Sequence, residues 1–114
     1  MGWISGLNEE EGERHPTLGG LRIGKPLNER QPSEPLEEDK EWDRDGQYFH
    51  YLTKWMHALN AVSAVTKDNS YCLQAAELAR TAHARFTFTP SRGARKRMYL
   101  KMSIDLSRPL VTAM

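Results

Sequence analysis

From Gly46 to Thr66 the chain contains a single Lys, Arg, Asp or Glu, which is Lys54. Within that stretch apolar residues recur at Tyr48, Leu52, Trp55, Leu59 and Val62, flanked by Tyr51 and Met56, the spacing of one face of an α-helix. The opposite face carries His50, Thr53, Lys54, His57, Ala61 and Ala64. A helix facing water carries more charge on its outer side. This one is therefore expected to be covered on both sides, or to line a cavity with its second face. Asp45 is placed to cap it, with Gly46, Gln47 and Tyr48 in the first turn.

Asp68 can cap a second helix from about 69 to 86, whose stripe is Tyr71, Ala75, Leu78, Ala82 and Phe86. Glu77, Arg80 and Ala84 lie away from the stripe, so this helix reads as an outer, half-solvated one. The short joint at Lys67 makes the two helices antiparallel neighbours. Beyond them, residues 86–89 and 97–103 are β-prone and separated by Pro90, Ser91, Arg92, Gly93 and Ala94, which predicts a short β-hairpin or an extended loop. Ser107, Arg108 and Pro109 look like the start of a further helix, with Ser107 capping.

Residues 1–44 differ in kind. They show no sustained apolar period and are punctuated by Gly19, Gly20, Gly24, Pro16, Pro26, Pro32 and Pro35, so they read as an irregular arm. Charge divides the same way: residues 1–45 hold 12 acidic and 6 basic side chains, and residues 46–114 hold 3 acidic and 10 basic, although the net charge is only +1. An acidic arm folded back on a basic unit spanning 45–114 accounts for this division. The length of 114 residues allows one small domain with a modest core, the apolar content being 39%. No apolar run is long enough for a membrane helix, and acidic residues within 1–12 do not suit a signal peptide, so a cytoplasmic chain is expected. The single cysteine, Cys72, excludes an internal disulfide framework and a thiolate zinc cluster.

The stretch Trp42-Asp43-Arg44-Asp45-Gly46-Gln47-Tyr48-Phe49-His50-Tyr51-Leu52-Thr53-Lys54-Trp55, then Ala75-Ala76-Glu77-Leu78-Ala79 with His83 and Phe86, then the run from Arg97 to Pro109, resembles a segment of the six-hairpin glycosidase-like proteins. The resemblance covers about residues 17–114. It implies an (α/α)6 toroid, a fold shared with N-acylglucosamine 2-epimerases and related sugar isomerases. The expected fold class is thus mainly α: an antiparallel hairpin of inner and outer helix from an incomplete toroid, with a long irregular N-terminal arm. The chain would be a truncated member, supplying one wall of a sugar-binding cup. In that fold the N-terminal ends of inner helices face the cup, which points Gln47, His50, Tyr51 and Lys54 toward a carbohydrate ligand.

Several side chains could carry chemistry there. His50, Lys54 and His57 share one helix face; an imidazole titrating near neutral pH could move a proton at a sugar carbon while the lysine binds a hydroxyl or steadies an oxyanion. The plain alternative is hydrogen bonding to neighbouring helices. Glycoside hydrolysis needs two carboxylates about 5–10 Å apart, and the candidates are Asp43, Asp45 and Asp105. Of these Asp45 doubles as a helix cap and Asp105 as a loop hydrogen-bonding group or ion-pair partner of Arg108, which leaves Asp43 the most open. Trp42 and Tyr51 are candidate stacking platforms, whereas Tyr48 and Trp55 fall on the apolar stripe and read as core.

The expected assignment is Asp43 and His50 as catalytic residues and Trp42, Gln47, Tyr51, Lys54 and His57 as substrate-binding residues. No cofactor is expected. No metal is expected either, since no carboxylate shares the face of His50 and His57 at ligand spacing. Arg92, Arg95, Lys96 and Arg97 lack interleaved aromatics and read as a solvated loop or a dock for the acidic arm, not as a nucleic-acid surface. The functional expectation is a glycosidase-like sugar-binding protein. A sugar epimerase or isomerase using His50 as acid or base is the first alternative, and a non-catalytic fragment that self-associates through its uncovered inner helix is the second. No membrane partner is expected.

Overall fold

The computed structural model of the chain describes residues 7–112. The first six residues of the 1–44 arm and the last two of the 45–114 unit lie outside that range. The elements in chain order are α1 (Glu9–Arg14), α2 (Glu38–Glu41), β1 (Gln47–Tyr48), α3 (Phe49–Thr66), α4 (Asn69–Phe86), β2 (Thr87–Phe88), β3 (Arg97–Met98), β4 (Lys101–Met102) and β5 (Pro109–Val111). The chain is mainly helical, built on the antiparallel hairpin of α3 and α4, with two small antiparallel sheets.

Capping explains where the helices begin. Asn8 accepts from the Glu11 N–H at 2.8 Å and opens α1; Asp68 accepts from the Ser70 N–H at 2.9 Å and opens α4, as its position predicts. Asp45 does not cap α3. Gln47 and Tyr48 are drawn into β1, paired with Met102 and Lys101 of β4, so α3 starts one turn later, at Phe49, whose N–H donates to the Leu100 carbonyl. At its other end Lys67 adopts a left-handed conformation with φ 63° and returns its N–H to Ser63, while the Ser63 hydroxyl donates to the Asp68 carbonyl and ties the turn.

The core forms between the hairpin and the strands: Leu21, Leu52, Leu78, Ala82, Phe86, Met102 and Leu106 cluster, with Phe49, Met56 and Tyr99 packed against them. The stripe read for α4 is largely the buried one, Ala75, Leu78, Ala82 and Phe86. For α3 the stripe is rotated. Leu52 and Ser63 are buried and Met56 and Leu59 half-buried, whereas Trp55 and Val62 are exposed. Helix α3 is thus covered on one side by α4 and the strands, and its low charge does not reflect cover on both.

Beyond α4, β2 pairs antiparallel with β3, Thr87 opposite Met98, which realises the short hairpin. The next residues leave it, because β4 inserts between β1 and β5 in a second sheet of order β1-β4-β5. The helix start read at Ser107 is replaced by β5. The Ser107 N–H and hydroxyl turn back to Asp105, and the Arg108 carbonyl accepts from the Ser103 N–H, which closes a tight loop and leaves residues 109–111 extended along β4.

The arm is folded onto this frame and contains the short helices α1 and α2. Gln47 is fully buried and clamps it: its side-chain oxygen accepts from the Leu21 N–H at 2.8 Å, and its amide donates to the carbonyls of Gly19 and Ile104. Gly20 has φ +75°, and a Cβ there would stand 2.0 Å from the Gln47 amide oxygen, so the close approach requires glycine. Further ties run from Thr17 to the Gln74 carbonyl, from Thr81 to the Leu18 carbonyl, and from the Ile104 N–H to Glu29.

Candidate functional site

The N-terminal end of α3 gathers aromatic side chains. Tyr48, fixed in β1, is buried and stacks on Trp42 from the arm with centroids 5.4 Å apart and planes 15° from parallel. Tyr51 meets Tyr48 edge-on at 5.7 Å. His50 lies 5.5 Å from Tyr48 and 4.4 Å from Tyr51. One turn on, the Lys54 ammonium sits 5.9 Å from the centre of the Tyr51 ring. Trp42, His50, Tyr51 and Lys54 are all exposed, so the arm and the first turns of α3 together form one surface. Asp43 is exposed beside Trp42; its backbone is held by Lys40 and Leu27.

The remaining residues assigned from the sequence fall outside this cluster. Gln47 faces the interior and holds the arm, so it is no ligand contact; a buried amide with three backbone partners is satisfied where it stands. His57 is exposed two turns along α3 from His50 and has no ring contact with the cluster. Asp45 is buried and paired with Arg22 at 2.9 Å from Nε, and also accepts from the Gly24 and Gly46 N–H groups. Burial alone would raise its pKa; the hydrogen bonds from Gly46, Arg22 and Gly24 outweigh that and hold its carboxyl below the usual range. Asp105 accepts from Ser103 and Ser107, with the Ser107 hydroxyl the chief cause of its lowered pKa, while Arg108 donates to the Arg30 carbonyl instead. Asp43 is therefore the carboxylate of the three that is open to solvent at the aromatic surface.

Beneath that surface lies a buried polar group that periodicity did not reveal. Lys101 of β4 is fully buried, and its ammonium donates to the carbonyls of Glu41 and Arg44, each at 2.9 Å. It lies 3.7 Å from the Glu41 carboxylate and 5.0 Å from the centre of the Tyr48 ring. Arg30 reaches the other Glu41 oxygen at 3.2 Å. Burial pushes the Lys101 pKa down, opposed by Glu41. Burial, with Glu41 and Tyr51 nearby, pushes the Tyr48 phenol up to about 12. The sequence hint was an acidic arm facing a basic unit, which did not single out Lys101. The arm docks on Lys101, and Arg92, Arg95, Lys96 and Arg97 are exposed at the β2–β3 hairpin, in keeping with the solvated loop of the two readings offered for them.

Two clefts run along the seam between the arm and α4, one of about 540 Å³ beside Leu18, Arg85 and Asp105, the other of about 350 Å³ beside Arg14, His15 and Glu77. Neither includes a residue of the aromatic surface. No group of three His, Cys, Asp or Glu side chains among the described residues is placed to hold a metal ion. No helix among them is long and apolar enough to cross a membrane. Comparison of the chain with protein-family models, with curated proteins and with solved structures found no match.

Proposed function

We propose that the N-terminal end of α3 is the carbohydrate-binding face of a glycosidase-like helical hairpin, with α3 as inner and α4 as outer helix of an (α/α)6-type arrangement. The observation that carries this reading is the exposed Trp42 ring, backed by the buried Tyr48 on which it stacks, with the exposed Tyr51 set edge-on to Tyr48. An aromatic face packs against the C–H face of a pyranose, and a few polar groups at its edge then fix the orientation. Asp43, His50 and Lys54 border the stack and supply an acceptor, a switchable donor or acceptor, and a cation for ring hydroxyls. The ligand class is a neutral pyranoside.

Bond cleavage asks for more than this surface has. Both hydrolytic geometries use two carboxyl groups, whereas Asp45 is committed to Arg22 and Asp105 to Ser103 and Ser107. Asp43 alone supports binding, or one half of an acid–base pair. The exposed His50 favours a second reading, proton transfer at a sugar carbon, with Lys54 steadying the developing charge.

Tryptophan fluorescence and amide NMR shifts, monitored while methyl glucoside, methyl mannoside and N-acetylglucosamine are titrated, test the proposal. At least one sugar should give a saturable change that disappears in Trp42→Ala while circular dichroism is unchanged. Absence of saturable change with all three overturns it.

A further inference from the structure

Helix α3 carries a second feature, which shares Tyr51 and Lys54 with the aromatic surface. Tyr51, Trp55, Ala58, Val62 and Val65 are exposed and succeed one another at intervals of four, three, four and three residues. That is the seam of a coiled coil, whose apolar positions repeat every 3.5 residues. Trp55 is 51% exposed and Val65 82%. Their side chains are unused by the core of their own chain.

The seam has both halves of a knobs-into-holes contact. A hole on a helix is the diamond of four side chains at i, i+3, i+4 and i+7. Tyr51, Lys54, Trp55 and Ala58 stand in that relation and line an apolar hollow of about 290 Å³. Val65 is an exposed apolar knob, but ten residues along the same helix from the centre of the hollow, so it cannot enter the hollow in its own chain. We propose that a second copy of this chain fills it: two α3 helices pair antiparallel about a twofold axis near Asn60, each inserting Val65 into the other's hollow.

The symmetry sets the register. With the axis near Asn60, Trp55 meets the second copy's Val65 and Ala58 meets its Val62, so each large side chain faces a smaller one. Lys54 comes opposite the C-terminal end of the other α3, where the helix dipole and the nearby Asp68 carboxylate favour a cation, with Lys67 of the same turn opposing them in part. A parallel pair would instead place Lys54 on Lys54 and Trp55 on Trp55. An isologous contact of this kind closes on itself as a dimer.

The exposed parts of Trp55, Val62, Val65 and Tyr51 come to roughly 300–400 Å² of apolar surface per chain, the size of the largest patch on a typical monomer, which is often functional. With its polar rim the contact falls near the lower limit of about 1,000 Å² for a specific interface. A contact at that limit suits a weak, reversible dimer.

Sedimentation equilibrium on the 114-residue chain over a hundredfold concentration range is the test. The expected mass rises reversibly from 13.1 kDa toward twice that value. Val65→Glu, at a position its own core does not use, should weaken the dimer at least tenfold with unchanged circular dichroism. A mass that stays at one chain, or a dimer indifferent to Val65→Glu, overturns the proposal. In a Cys72→Ser background, chains carrying Ala58→Cys mixed with chains carrying Val62→Cys should form mixed disulfides under mild oxidation. Links of like with like alone would mean a parallel pair and overturn the register. Trp42, Asp43 and His50 lie off the seam, whereas Tyr51 and Lys54 belong to both surfaces; the sugar titration is therefore run at concentrations where the chain is a monomer, so that failure of either reading leaves the other standing.

Discussion

Trp42 lies flat on Tyr48, 5.4 Å between ring centres, and so the end of the acidic arm completes a surface that β1 and α3 begin. The arm is held there from below by Lys101, whose ammonium takes the carbonyls of Glu41 and Arg44 on either side of Trp42. A surface aromatic in a long loop is thereby fixed by a buried cation from a strand 59 positions away in sequence.

The Tyr48 hydroxyl is buried without a hydrogen-bond partner. Tyr48→Phe removes a desolvated hydroxyl while keeping the ring that stacks on Trp42, so the variant should be as stable as the parent or more stable by up to about 1 kcal/mol in urea unfolding. Burial, then the charges of Glu41 and Tyr51, raises this phenol to about 12 in the folded chain. A raised folded pKa adds stability that is whole below the ordinary tyrosine value near ~10 and is lost as pH climbs through the folded one. Ultraviolet difference titration should show one late-ionising phenol that is absent from Tyr48→Phe. A hydroxyl ionising near the ordinary value would mean that water reaches it.

Asp45 titrates in the opposite sense. Burial raises its pKa, but the Gly46, Arg22 and Gly24 donors more than offset this, and the folded value is lowered. Its stability contribution is therefore full above the unfolded value of about 3.9 and disappears as pH falls through the lower folded one. Asp45→Asn should cost about 1–3 kcal/mol at neutral pH, less than a fully buried pair because Arg22 is partly exposed. It should also flatten the loss of stability below pH ~4. Denaturant melts between pH 2 and 7 measure both effects.

Lys67 joins the two helices in a left-handed conformation, φ 63° and ψ 19°, which L-residues other than asparagine and aspartate adopt at a cost of roughly 1 kcal/mol. Its side chain is exposed. Lys67→Gly should raise stability by about 0.5–1 kcal/mol with the hairpin unchanged, read as a higher urea midpoint at equal slope. A loss of stability would show that the lysine chain itself packs on the turn.

Local signals in the sequence were the legible ones. Periodicity and the Asp68 cap located α4 and its buried face, and the β-prone runs around Pro90–Ala94 located the β2–β3 hairpin. The failures depended on distant partners. Asp45 looks like a cap because Gly46–Tyr48 could begin a helix; pairing with β4, far along the chain, turns Gln47 and Tyr48 into a strand. Ser107-Arg108-Pro109 reads as a helix start until Ser103 and Asp105 bind Ser107 and the chain from Pro109 runs extended as β5. Among the aromatic residues the stripe sorted core from surface only in part: Tyr48 is buried as read, but Trp55, read as core, is exposed along with Trp42 and Tyr51, because the buried face of α3 is rotated. Gln47 was misassigned because only the arm's backbone, some 26 residues earlier, shows the purpose of its amide.

Lys101 gives the sharpest test of the buried network. Its Nζ donates to two carbonyls and lies 3.7 Å from a Glu41 oxygen that has no hydrogen bond. Lys101→Met keeps most of the volume but leaves both carbonyls unpaired and the buried Glu41 carboxylate with Arg30 alone. Breaking a buried pair from one side typically costs about 3–5 kcal/mol, and the remaining Arg30 contact places the expected loss at about 2–4 kcal/mol. Gly46 belongs to the same packing, since a Cβ there would stand 2.8 Å from the Lys101 side chain. Adding Glu41→Gln should recover part of the loss, because the neutral amide no longer needs the cation; a double-mutant cycle reads the coupling. The pH response supplies a readout independent of packing. Burial lowers the Lys101 pKa in the fold, so between that value and the unfolded one near ~10.4 the unfolded chain binds more protons and stability rises with pH. Lys101→Met should abolish that rise. Equal slopes for parent and variant across the window would show that the ammonium is solvated, and that the arm is held by its other ties.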